Sequence, residues 1–278
     1  MMMSPARRVL RNFSGTLVLA GAGRMGGAML EGWIGLGLDP TNIVVLEPQP
    51  SRDLTKLSAR GLRLNPAEHA AEASVVVIAV KPQLAGKVVP ELARWVGPST
   101  LAISIMAGRR LEGLERALPR AAIVRAMPNL PASIGRGITV AVANARVSAR
   151  QRDLAGKLLG AIGAVEWVAD EGLLDAVTAV SGSGPAYVFL LAETLAAAGV
   201  AAGLPADLSA RLARATVAGS GALLETSALE PGTLRENVTS PGGTTAAALE
   251  VLMGQAGLRP LLERAILAAT GRSRDLAS

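Results

Sequence analysis

The sequence predicts an α/β chain in two parts: a doubly wound parallel sheet over residues 1–168, then an all-helical part over 169–278. Three observations carry this. Short β-branched runs recur at Thr16–Ala20, Asn42–Leu46, Ser74–Val80, Leu101–Ile105, Ala122–Ala126, Ile138–Val142 and Val165–Val168. Stretches with helical spacing, such as Arg24–Gly35 and Leu111–Leu118, lie between several of them. Beyond about Asp170 the strand pattern stops and Ala, Leu and Gly dominate. Nearly continuous apolar runs suit strands covered on both faces, and strand–helix alternation selects a parallel sheet. Ser148–Ile162 reads as the helix before the last strand, with Ser148 as its cap.

The second part reads as helices at Glu171–Val180, Gly184–Ala198, Asp207–Thr226 and Gly243–Leu252, with a last one through Pro260–Ala269. They carry apolar residues around much of their circumference, which implies burial on more than one side. A thin helical layer cannot cover them all, so this part is expected to bury its surface against a second copy. Pro185–Ala202 is the nearest approach to a membrane span, but it carries Glu193 and reads as a buried helix of a soluble protein.

Composition removes several chemistries. The 278 residues contain no cysteine, which excludes disulfides, thiolate nucleophiles and Cys-ligated metal sites. One histidine, His69, leaves no histidine pair for a metal or a triad, and no metal site is expected. The net charge is +6, but the arginines are scattered and Phe, Trp and Tyr number 2, 3 and 1. A nucleic-acid reader would cluster its cations and interleave aromatic platforms, so no nucleic-acid partner is expected. Residues 1–15 carry Arg7, Arg8 and Arg11 without a secretory apolar run, and read as a basic tail. Together with the missing cysteine, this points to the cytoplasm.

Gly21-Ala22-Gly23-Arg24-Met25-Gly26 follows the first strand directly and opens the first helix. In this G-x-G-x-x-G pattern Gly21 allows the tight turn, Gly23 lets backbone approach a pyrophosphate, and Gly26 permits close helix–strand packing. The helix N-terminus then faces the phosphates with its N–H groups. Glu47, at the end of the second strand, stands where NAD readers bind the adenine ribose hydroxyls. A carboxylate there would repel the extra phosphate of NADP, whereas Ser51 and Arg52 just downstream could contact it. The balance between NADH and NADPH therefore tilts to NADH. Val80-Lys81-Pro82, Ala107-Gly108 and Met127-Pro128-Asn129 occupy the tips of later strands, where open α/β sheets hold their ligands.

Two segments of the helical part stand out. Val180–Tyr187 (VSGSGPAY) reads as a loop whose glycines serve helix packing. Val238–Thr245 (VTSPGGTT) reads differently: Ser240 can cap, Pro241 suits a first helical turn, and Gly242 and Gly243 expose backbone N–H groups. Thr244 and Thr245 add two hydroxyls. Such an uncharged nest suits a small carboxylate, and each charge-assisted hydrogen bond contributes about 1.5–3 kcal/mol.

These motifs together resemble the pyrroline-5-carboxylate reductase family, over essentially the whole chain from Gly15 onward. The resemblance implies an N-terminal Rossmann domain and a helical domain that interlocks with a partner subunit. It also implies homodimers that assemble further, as into a decamer, and reduction of 1-pyrroline-5-carboxylate to L-proline by NAD(P)H. Carried over residue by residue, Ser240 and the N–H groups of Gly243 and Thr244 would hold the substrate carboxylate. Thr245 would bond the ring nitrogen and act as the catalytic side chain. Two rivals are a β-hydroxyacid dehydrogenase and a non-catalytic nucleotide-binding oligomer. The former needs a lysine from the helical part, but Lys56, Lys81, Lys87 and Lys157 all precede it.

Overall fold

The computed structural model describes residues 9–67 and 72–277; residues 1–8 and 68–71, with Arg7, Arg8 and His69, lie outside the described residues. The chain forms two compact units, Met1–Gly182 with Thr270–Ser278, and Ser183–Ala269.

The first unit begins with β1 (Leu17–Ala20), α1 (Arg24–Gly35), β2 (Ile43–Leu46), α2 (Arg52–Ser58), β3 (Arg63–Leu64), β4 (Val75–Ile78) and α3 (Ala85–Leu92). It continues through β5 (Leu101–Ser104), α4 (Leu111–Ala117), β6 (Ala122–Met127), β7 (Gly137–Ala143), α5 (Ala149–Leu159), β8 (Gly163–Trp167) and α6 (Leu173–Val177). The strands form one sheet in the order β3-β2-β1-β4-β5-β6-β7-β8. Leu17 of β1 pairs with Ile43 on one side and Val75 on the other, so the strand order reverses between β1 and β4. That reversal is the switch point at which doubly wound sheets bind ligands.

Alternate side chains of β1 feed two cores. Leu17 and Leu19 join Trp33 and Val77 on one face, and Val18 and Ala20 join Trp95 and Val76 on the other. Trp33 is fully buried and its Nε1–H donates to the Leu158 carbonyl at 2.8 Å, which ties α1 to α5. Ser148 caps α5 as expected, in a reciprocal capping box with Gln151.

Three expectations need correction here. The sheet is not wholly parallel, because β6 and β7 pair antiparallel. Only a 3-10 turn, Leu130–Ile134, joins them, and a parallel return needs a crossover of about a dozen residues or more. The basic tail does not extend to Gly15: Leu10 is 2 % exposed, and its N–H donates to the Leu36 carbonyl. The helix expected at Glu171–Val180 starts later, at Leu173, and from Thr178 runs on as a π-helical turn to Gly182.

The second unit holds α7 (Gly184–Ala201), α8 (Ala206–Thr226), α9 (Pro231–Asn237), α10 (Thr244–Leu252) and the start of α11 (Leu258–Ala277). Helices α7 and α8 form a close hairpin. A β-carbon on Gly199 would collide with Ser209, whose hydroxyl donates to the Ala196 carbonyl at 2.6 Å. Helix α11 runs well beyond the expected Ala269. Its last turns belong to the first unit, where the Ser273 hydroxyl donates to buried Asp175 at 2.8 Å.

The expectation that α7 is buried is corrected within this single chain, where none of its residues is buried. The run Leu173–Ala201 is long and apolar enough to cross a membrane by length and composition alone.

Candidate active site

The glycine-rich turn has the geometry that a dinucleotide needs. Gly21 sits at φ +89°, and a β-carbon there would lie 2.7 Å from the Ala79 carbonyl at the end of β4. A β-carbon on Gly26 would strike the Gly21 carbonyl, so the helix can start this close to the strand only with glycine. Gly23 differs: a β-carbon there would meet nothing within 4 Å. That open space lies at the N-terminus of α1, for which Gly23 is the uncapped N-cap residue. The first helical backbone donor to find a partner is the Gly27 N–H, on the Gly23 carbonyl at 2.7 Å. The N–H groups of Arg24, Met25 and Gly26 have none among the described residues. Unspent donors beside a cradle that a side chain would fill fit a pyrophosphate.

Around this turn stand the other candidates. The Glu47 carboxylate follows β2 and accepts the Ala22 N–H at 2.8 Å and the Gln49 N–H at 3.0 Å. Val80 and exposed Lys81 follow β4, and Pro82 opens a 3-10 turn. Ala107 and Gly108 follow β5, with Gly108 at φ +69°. Arg109, which sequence reasoning passed over, joins the two tips by donating to the Pro82 carbonyl at 3.0 Å. Asn129 is spent structurally, its Oδ1 accepting the Ile138 N–H at 3.0 Å. In the VSGSGPAY segment, Gly182 leaves room for Met127: a β-carbon there would lie 2.7 Å from the Met127 methyl.

In the second unit, Ser240–Gly243 folds as a turn, with the Gly243 N–H donating to the Ser240 carbonyl at 3.0 Å and Gly242 at φ +68°. Proline followed by a positive-φ glycine is the pattern of a type II turn. This corrects the expected local geometry: Ser240 does not cap the helix, and Pro241 lies outside it. Helix α10 starts at Thr244, with Gly243 as an extended N-cap that offers no side-chain bond. The N–H groups of Thr244, Thr245 and Ala246 have no partner among the described residues, and Ala247 is the first to bond back, to Gly243. Exposed Thr244 and half-buried Thr245 thus bring two hydroxyls and three free backbone donors to one helix end.

Comparison with known proteins bears on both units. Residues 171–276 match the family model for pyrroline-5-carboxylate reductase dimerisation, and residues 16–108 match one for NADP oxidoreductases, coenzyme F420-dependent. A pyrroline-5-carboxylate reductase of Pseudomonas aeruginosa is 40% identical over 94% of this chain and 96% of its own length. The chain belongs to the pyrroline-5-carboxylate reductase family. A family structure from Coxiella burnetii superposes with a TM-score of 0.86 at 34% identity, covering 96% of this chain and 100% of that one. A pyrroline carboxylate reductase from Plasmodium falciparum with NADP bound superposes at 0.78 with 28% identity, covering 97% and 100%. Membership sets aside the hydroxyacid dehydrogenase alternative. The dimerisation match also accounts for the apolar exterior of the helices: the protein is an oligomer-forming oxidoreductase of this family.

One further residue escaped the sequence reading. Asn65 hydrogen-bonds both backbone polar groups of Glu47, at 2.8 Å each. Its only advance signal was the Asn65-Pro66 pair, a common mark of a turn.

Proposed function

We propose that this chain reduces 1-pyrroline-5-carboxylate to L-proline with NADH as its preferred donor. The observation that carries the reading is the uncharged, donor-rich start of α10 in a chain of this family. Reduced nicotinamide, when bound, supplies the hydride. Everything else is asked of the chain's own groups. The free N–H groups of Arg24, Met25 and Gly26 would hold the pyrophosphate, and Lys81 would add positive charge nearby. Val80, Pro82, Ala107 and Gly108 would line the strand-tip crevice, and Glu47 would take the ribose hydroxyls.

Ser240, Gly242, Gly243, Thr244 and Thr245 would form the substrate pocket. Because the Gly243 N–H is committed to the Ser240 carbonyl, its share of the carboxylate passes to the N–H groups of Thr244 and its successors. The Thr245 hydroxyl would hydrogen-bond the ring nitrogen. A cyclic imine can take its proton from solvent, so no strong side-chain acid is needed. The remaining contribution is orientation, which effective-molarity comparisons rate at about 7–11 kcal/mol at most.

Residues 169–278 would serve substrate binding and pairing, with a homodimer as the basic unit and a ring such as a decamer as the larger assembly. A cytoplasmic site of action suits a chain without cysteine. The test is oxidation of NADH and of NADPH with pyrroline-5-carboxylate, run in parallel, with reduction of NAD+ by a hydroxyacid as the control. Turnover with the imine and a higher kcat/KM for NADH are expected. A strong preference for NADPH would overturn the role of Glu47, and no turnover with the imine would overturn the reaction.

A further inference from the structure

The ladder that holds β2 stops short of Glu47. Its last rung to β1 is Ala20 with Leu46, and its last rung to β3 is Val45 with Leu64. At that point Asn65 takes over. Its backbone N–H donates to the Val45 carbonyl at 2.9 Å, and the chain then turns to φ +44°, the only positive φ at a described non-glycine residue. Asparagine tolerates this left-handed conformation better than most residues. The turn brings the amide across the end of β2, where Oδ1 accepts the Glu47 N–H and Nδ2 donates to the Glu47 carbonyl, both at 2.8 Å. One side chain thereby replaces the missing rung. From the residue so pinned, the carboxylate reaches the Ala22 N–H inside the glycine-rich turn.

We infer that Asn65 determines dinucleotide specificity by fixing the backbone of Glu47 and so aiming its carboxylate at the adenine ribose site. The inference rests on the NADH reading of Glu47 given above. The physical reason is that a carboxylate free to swing away costs an incoming phosphate little. One held at both its backbone and its carboxylate cannot move aside, and it meets the ribose hydroxyls already oriented. Asn65 is a positioning residue, acting through Glu47.

The test is calorimetric measurement of Kd for NADH and for NADPH with the full-length protein, its Asn65→Gly variant and its Glu47→Gln variant. Glycine keeps the left-handed backbone and removes only the amide. Loss of about one net hydrogen bond's worth of orientation predicts a shift of about fivefold or more in the NADH-to-NADPH affinity ratio. NADH should bind more weakly and NADPH no more weakly, whereas general loosening of the fold would weaken both. If Glu47→Gln shifts the ratio and Asn65→Gly does not, the inference about Asn65 is overturned and the NADH reading stands. If Glu47→Gln leaves the ratio unchanged, the reading of Glu47 itself fails and takes this inference with it. Should the glycine variant not fold, Asn65→His tolerates the same backbone but cannot bridge both polar groups, and its ratio decides in the same way.

Discussion

Strand β1 and helix α7 are both predominantly apolar, yet all four side chains of β1 are buried and no residue of α7 is. Around β1 the chain supplies its own cover, with α1 and α5 over one face and α3 and α4 over the other. Around α7 it does not: Phe189 remains 59 % exposed and Leu190 56 %, and Val251 of α10 is 76 % exposed. Hydrophobic stabilisation is proportional to the area removed from water, about 25 cal/mol per Å². Exposed side chains of this size therefore represent stability still to be gained, which is the expected state of a dimerisation surface in one isolated chain. The first unit is complete within one chain; the second is completed by association.

The largest expected effect breaks that second unit alone. Phe189→Glu places a charge on the uncovered face, and burying an unpaired charge is costly enough to abolish pairing. Sedimentation at micromolar concentration should then show monomer and activity should be lost, while NADH binding persists. A dimer of unchanged affinity would break the comparison. Next is a break in the first unit: Gly26→Val forces a side chain into the Gly21 carbonyl. NADH affinity should fall by about a hundredfold, on the scale of overpacking costs of about 1–3 kcal/mol, with the oligomer retained. Calorimetry and sedimentation together read this outcome.

Thr245→Ala gives a smaller effect confined to turnover. Loss of a hydrogen bond to a charged nitrogen, worth about 1.5–3 kcal/mol, should lower kcat about 10- to 100-fold without changing Kd for NADH. An undiminished kcat would remove Thr245 from the chemistry. The smallest effect sharpens the contrast in stability. Ser148→Ala removes the capping box on α5 and should cost about 1 kcal/mol in denaturant unfolding of the first unit, with oligomeric state and kinetics unaltered.

Legibility followed the range of the interactions concerned. The glycine-rich turn was readable because each glycine answers a local requirement: a positive φ at Gly21, a contact with the neighbouring turn at Gly26, and open space at Gly23. Ser148 was readable for the same reason. The antiparallel direction of β7 departs from the strand–helix alternation because the link after Met127 is too short for a parallel crossover. Strand β3 is too short to leave a pattern, and Pro90 interrupts the helical signature of α3. At the start of α10 the composition is legible in the sequence and the geometry is not. Both a capped helix start and a type II turn accept Ser-Pro-Gly-Gly, and the hydrogen bond from Gly243 to Ser240 selects the turn.

By itself the sequence determined the alternation of strand and helix, the position of the glycine-rich turn and the family, because these rest on backbone requirements and periodicities that neighbouring residues impose on one another. Only the tertiary structure decided that Asn65 grips Glu47, that Arg109 joins two strand tips, and that Asp175 receives Ser273 from the far end of the chain. Those partners are brought together by sheet order and helix packing, and no spacing along the chain encodes a hydrogen bond that closes in space.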